Sequence, residues 1–196
     1  MNGISPHKAK LLEAHRIRWE FGFHDPTVIG WLTVLGYAAA AVLAWRAASA
    51  ARRSGAGFDK IFWLAGCAVM VFLAINKQLD LHILVTDLGR YLAVQNDLYP
   101  QRRALQQAFM AAAVLGAGGA GVALWLATRH RDAALRLALA GLAVCCGYVL
   151  VRAASFHHTD LLMRTTVFGV RWNWMIELAG IALAGYAAWR YPARDC

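Results

Sequence analysis

Charged residues are scarce in this chain, and acidic residues are scarcer than basic ones. Only 16% of the 196 residues are charged and 60% are hydrophobic, while 11 Asp and Glu stand against 20 Lys and Arg. A soluble domain of this length could not bury so much apolar surface, so the excess must face lipid. The composition excludes an ordinary soluble domain and predicts an integral membrane protein.

Cysteine pairs and common catalytic signatures are also missing. The cysteines at positions 67, 145, 146 and 196 show no CxxC spacing, which disfavours a disulfide framework or zinc knuckle and favours small hydrophobic packing. There is no P-loop, GxSxG, HExxH, Rossmann glycine pattern or EF-hand loop, which removes many soluble enzyme classes. No Arg-rich stripe interleaved with aromatics accompanies the net charge of +9, so no nucleic-acid partner is expected.

The N-terminal segment lacks the apolar run of a signal peptide. In it Leu11, Leu12, Ile17 and Trp19 are interleaved with Lys and Arg, a pattern typical of an amphipathic helix at the membrane interface. We therefore predict an amphipathic segment over residues 1–24 and a single transmembrane domain over 25–196.

Long apolar runs are the main feature that the sequence does contain. A helix that crosses the hydrocarbon core needs roughly 20 mostly apolar residues, and backbone amides in lipid must be satisfied within a helix. The predicted fold class is therefore all-α, an integral membrane bundle of about five transmembrane helices. The predicted spans cover about 27–47, 61–80, 107–127, 135–154 and 174–190.

Local signals support these spans. Asp25 before Pro26 predicts a capping carboxylate and a proline at the first helical position. Small residues at helical spacing in the third and fifth spans predict faces for close helix contacts. These residues are Ala112, Gly116 and Ala120 in the third span, and Gly180 and Ala184 in the fifth.

The connections predict an orientation. Residues 46–60, 129–136 and 190–196 are short, densely basic and poor in acids, and such loops usually stay in the cytoplasm. We expect a multi-pass protein of the bacterial plasma (inner) membrane, with its N-terminus outside and its C-terminus in the cytoplasm.

Ionisable residues at the opposite end of the spans suggest a functional site. Charged groups at membrane depth are expensive, so Asp80, Arg152 and Glu177 become candidates for catalysis. Glu177 lies about one turn inside the fifth span and should have a partner. Arg152, at similar depth in the fourth span, is the best candidate for it.

Histidines near the same end suggest a metal. His82, His157, His158 and Asp160 combine imidazole and carboxylate donors, which suit Zn, Fe or Cu. On an unbroken helix Asp80 and His82 point in different directions, so a shared metal would require a bend. An ordinary helix end with interfacial histidines remains an equal alternative.

Basic side chains at this end suggest an anion. Arg90 and Arg102 are candidates for holding a phosphate or carboxylate group. Anchoring to lipid head groups is the commoner role of such residues.

Three functions remain open. The first is a metal-binding or proton-moving site, which as a metal-dependent hydrolase would act on a lipid-like or anionic substrate. Its ingredients resemble those of membrane hydrolases of the alkaline ceramidase type, but those have seven helices and an HxxxH pair that this chain lacks. The second is binding of haem or a quinone, with haem disfavoured because the histidines lie near span ends. The third is an accessory or assembly subunit of a larger membrane (redox) complex, with membrane lipids and other subunits as partners.

Overall fold

The computed structural model describes residues 19–23, 25–96, 99–154, 166–167 and 170–191, and these form six α-helices. The helices are α1 Val28–Arg53, α2 Gly57–Leu79, α3 Leu81–Gln95, α4 Arg102–Thr128, α5 Ala133–Ala154 and α6 Trp172–Arg190. A 3-10 turn, Tyr99–Gln101, precedes α4. Before α6, the two-residue strands β1 (Thr166–Val167) and β2 (Val170–Arg171) pair antiparallel. The predicted all-α class is confirmed.

Four helices are long and apolar enough to cross a membrane. Among the described residues these are Val28–Arg53, Gly57–Leu79, Gln107–Thr128 and Ala133–Arg152, which match the first four predicted spans. The fifth predicted span is also a helix, the 19-residue α6. It is not one of the four, because it contains Glu177 and has Trp, Asn and Arg near its ends.

Four of the helices enclose the core. α1 packs against α2 and α6, α6 packs against α5, and α5 makes a smaller contact with α2. Alanines of α1 fill much of the buried space, and large side chains such as Tyr37, Trp63 and Met70 occupy the remainder. In lipid no hydrophobic effect drives helices together, so small side chains stabilise the bundle by allowing close packing between helices.

Helices α5 and α6 touch backbone to backbone. A Cβ atom at Gly141 would lie 2.6 Å from the backbone nitrogen of Ala184, and one at Gly180 would lie 2.7 Å from Sγ of Cys145. The small-residue face predicted in the fifth span is therefore confirmed. Cys145 is fully buried in this region, as expected for a cysteine used in packing.

Helix α4 lies at the side of the bundle. It packs mainly against α5, and none of the residues in its most apolar stretch is buried. Ala112, Gly116 and Ala120 are all exposed, so the described residues do not cover this predicted packing face, and its use in packing stays a prediction.

The first span begins differently from the prediction. Thr27, not Asp25, caps α1, because its hydroxyl oxygen accepts a hydrogen bond from the Gly30 amide at 3.0 Å. Of the predicted amphipathic segment 1–24, residues 1–18 and 24 lie outside the described residues, and Trp19 to Phe23 are not helical.

Candidate functional site

Polar side chains meet where α2 and α5 end and where α1 and α6 begin. This region, called the polar end, is built from Asp25, Lys77, Asp80, Arg152 and Glu177. Lys77, Asp80 and Glu177 are buried, although each carries a formal charge. Chain reversal between successive helices brings these ends together, so the predicted clustering of Asp80, Arg152 and Glu177 at one end is found.

Lys77 joins two carboxylates. Its Nζ lies 3.0 Å from Oε2 of Glu177 and 3.4 Å from Oδ2 of Asp25. The other carboxylate oxygen of Glu177 accepts a hydrogen bond from the Tyr37 hydroxyl at 3.2 Å. The side chains of Lys77 and Glu177 are only 4% and 2% exposed, whereas that of Asp25 is 21% exposed. The ion-pair triad of Asp25, Lys77 and Glu177 therefore leads from the surface into the bundle.

Asp25 lies close against the first turn of α1, and contacts there hold its side chain in place. Its Oδ1 accepts a hydrogen bond from the Thr27 hydroxyl at 2.6 Å. A Cβ at Gly30 would lie 2.7 Å from the carboxyl carbon of Asp25, so this position requires glycine. Burial acts to raise the pKa of Asp25, but the Thr27 hydrogen bond and the Lys77 charge outweigh it and hold that pKa below its ordinary value.

A second ion pair lies beside the triad. Nη2 of Arg152 is 3.0 Å from Oδ1 of Asp80. The predicted partnership of Arg152 with Glu177 is therefore wrong as a direct contact, since Lys77 occupies the carboxylate of Glu177. Lys77 comes one helical turn before Asp80, so α2 supplies a charged partner to both α5 and α6.

Asp80 separates α2 from α3. It is the one described non-glycine residue with a positive φ, at 46° with ψ of 48°. Aspartate tolerates this left-handed conformation better than most residues. The absence of Gly and Pro around residue 80 favours an unbroken helix, but the left-handed backbone of Asp80 bends the chain there instead.

Two more groups complete the described polar end. The indole nitrogen of Trp19 donates to the carbonyl oxygen of Leu79 at 2.6 Å, which satisfies one of the free carbonyls at the end of α2. The Gln78 side chain is buried, and neither its amide nitrogen nor its oxygen has a hydrogen-bonding partner among the described residues. A buried, unpaired amide is costly.

The side chains of the predicted metal donors lie outside what the structure describes. His157, His158 and Asp160 lie outside the described residues, and for His82 only the backbone, in α3, is described. The same holds for Arg90 in α3 and Arg102 at the start of α4. No group of three or more His, Cys, Asp or Glu that could hold a metal occurs in the described part of the chain.

Sequence reasoning missed Lys77, Tyr37 and Asp25 as site residues. Lys77 follows Met70 and Leu73 at helical spacing, and all three are buried. Tyr37 similarly lies on the buried alanine stripe of α1. A polar or charged residue in line with buried apolar residues on a helix was therefore the pattern that could have identified Lys77 and Tyr37. The Asp25-Pro26 pair predicts a helix cap, and this pattern gives no sign of the ion pair between Asp25 and Lys77.

The fold and the polar end define a helical membrane protein with a buried cluster of charges at one end of its bundle. No protein-family model, curated protein or solved structure matches the chain.

Proposed function

We propose that the polar end is a proton-binding site at one membrane face, which serves acid–base chemistry on an anionic or lipid-like substrate. The observation that carries this proposal is the composition of the ion-pair triad. It joins two carboxylates to a single ammonium group, so it has one net negative charge when all three groups are ionised.

Binding of one proton would neutralise the triad. A net charge is expensive in a region of low dielectric constant, and neutralisation reduces that cost. The charged and hydroxyl groups form a continuous series from Asp25 through Lys77 and Glu177 to Tyr37. Because Asp25 is the most exposed member, it is the entry point for the proton, and Glu177 is the buried acceptor.

Neighbouring groups supply recognition in this proposal. Arg152, held by Asp80 at the same end, carries the charge that an anionic substrate would meet, with Arg90 and Arg102 as further candidates. The Gln78 amide, which has no partner among the described residues, offers both a donor and an acceptor to a polar ligand. A metal held by His82, His157, His158 and Asp160 stays a prediction, as do haem or quinone and the orientation with the polar end outside the cell.

A carboxyl protonation measurement tests the proton-binding proposal. Infrared difference spectra of the purified protein, recorded as the pH is lowered, should show the carbonyl band of a buried carboxylic acid. This band should disappear in Glu177→Gln and persist in Glu20→Gln, which removes an exposed carboxylate. A wild-type spectrum without the band, or a band that Glu177→Gln leaves unchanged, would refute the proposal.

A second candidate function is that of an accessory subunit, which the position of α4 favours. Its apolar stretch is not buried by the described part of the chain, and a Cβ at Gly116, Gly118, Gly119 or Gly121 would meet no described atom within 4 Å. An exposed backbone of this kind suits close contact with a helix from another membrane subunit.

Native electrophoresis in mild detergent tests the subunit role. We expect Gly116→Leu to separate the protein from a larger complex without lowering its own stability, since a Cβ at this position has open space around it. Val114→Leu, on the opposite side of α4, is the matched control. Equal migration of both variants with the wild type would count against this function.

A further inference from the structure

The end of the bundle opposite the polar end has a groove between α1 and α2. Its walls are formed by the last turns of α1 and the first turns of α2, and its volume is about 110 Å³. The groove is lined by Trp45, Ala48, Ser49, Arg52, Lys60 and Leu64. Pockets for drug-sized molecules have volumes of about 300–1,000 Å³, so this groove fits a small group such as a phosphate.

The groove changes from apolar to cationic along its length. Trp45 and Arg52 are seven residues apart on the same face of α1, which places Arg52 about 10 Å closer to the helix end. On α2, Lys60 similarly lies one turn nearer the helix start than Leu64. Both cations are therefore on the side of the groove nearer the end of the bundle, and the apolar side chains lie deeper along the membrane-spanning helices.

The described part of the protein does not neutralise the cations in the groove. Neither Arg52 nor Lys60 forms an ion pair among the residues that the structure describes. The nearest acid along the chain, Asp59, is engaged elsewhere: its Oδ1 lies 3.2 Å from Arg131 and its Oδ2 accepts a hydrogen bond from Tyr191 at 2.8 Å. The groove thus offers two positive charges to a bound anion.

We infer that this groove binds the head group of an anionic glycerophospholipid. Arg52 and Lys60 hold the head-group phosphate, and an acyl chain lies against Trp45 and Leu64. Cationic side chains at a helix end attract anionic lipid, and the apolar wall below them distinguishes a lipid from free phosphate. This site is separate from the polar end and does not depend on the function proposed for it.

Lipid retention by the purified protein tests the inference. Native mass spectrometry from vesicles that contain equal amounts of phosphatidylglycerol and phosphatidylcholine should show selective retention of phosphatidylglycerol. The double variant Arg52→Gln with Lys60→Gln should weaken that retention about tenfold or more. The matched control, Arg129→Gln with Arg136→Gln, removes two exposed charges from the same end and should retain the lipid as the wild type does.

Two further measurements distinguish a bound lipid from free phosphate. Trp45→Ala should lower retention while both cations are kept, because it removes part of the apolar wall. Inorganic phosphate at millimolar concentration should not displace the lipid. The inference is overturned if the Arg52 and Lys60 variant retains phosphatidylglycerol normally, if the control loses it equally, or if inorganic phosphate alone displaces it.

Discussion

Replacement of Lys77 by methionine is expected to destabilise the protein by about 3–5 kcal/mol, the range for breaking one side of a buried ion pair. The change leaves the carboxylates of Glu177 and Asp25 without their shared cation. Glu177→Gln should cost much less, because Lys77 keeps Asp25 as a partner and the glutamine oxygen can still accept from Tyr37. Reversible unfolding by a denaturing detergent measures both changes.

The double variant Lys77→Met with Glu177→Gln is the decisive control for this prediction. It removes both buried charges and should recover a large part of the stability that Lys77→Met loses, since apolar or neutral replacements of a whole buried pair are often tolerated. Arg136→Met, which removes an exposed cation without an ion pair to any described residue, should change stability little. Equal effects of Lys77→Met and Glu177→Gln would contradict the shared role of Lys77.

The second large effect is expected at the contact between α5 and α6. Gly141→Ala should lower the free energy of unfolding by about 3 kcal/mol, at the upper end of the usual range for overpacking. Its new Cβ would lie 2.6 Å from the Ala184 nitrogen and 2.8 Å from the Gly180 carbonyl oxygen. Backbone atoms cannot move aside as a flexible side chain can, so the two helices would have to separate.

Gly147→Ala provides the matched comparison on the same helix. A Cβ at Gly147 meets no described atom within 4 Å, so the substitution should gain up to about 1 kcal/mol from the higher helix propensity of alanine. The two identical substitutions are thus expected to have opposite signs in the same detergent unfolding assay. Loss of stability in both variants would show that the packing at Gly141 is not the cause.

Much of the architecture was predictable because lipid constrains it strongly. The first four spans follow from apolar runs that must form helices in hydrocarbon, and the structure has helices at each of them. The face of Gly180 and Ala184 was also found from spacing alone. The similar stripe of Ala112, Gly116 and Ala120 is not covered by the described residues, because spacing identifies a face of small side chains but not the surface that packs against it.

The candidate site was predictable in its location but not in its pairs. Burial cost indicated that Glu177 needs a partner, yet the choice between Lys77 and Arg152 depends on which helices are adjacent and at what height. Asp80 illustrates the same limit. Its left-handed backbone, which no neighbouring glycine or proline indicates in the sequence, directs the chain from α2 into α3. Its carboxylate pairs with Arg152.

The sequence by itself determined that four helices are apolar enough to span a membrane, that the fold is helical, and at which end of the bundle charges collect. Each of these depends on local composition and on the cost of polar groups in lipid. Only the tertiary structure decided that Lys77 joins Asp25 to Glu177, that α4 stays outside the core, and that Arg52 and Lys60 border one groove. The ion-pair triad joins residues that are distant in sequence, and all three features depend on how the helices are arranged in space.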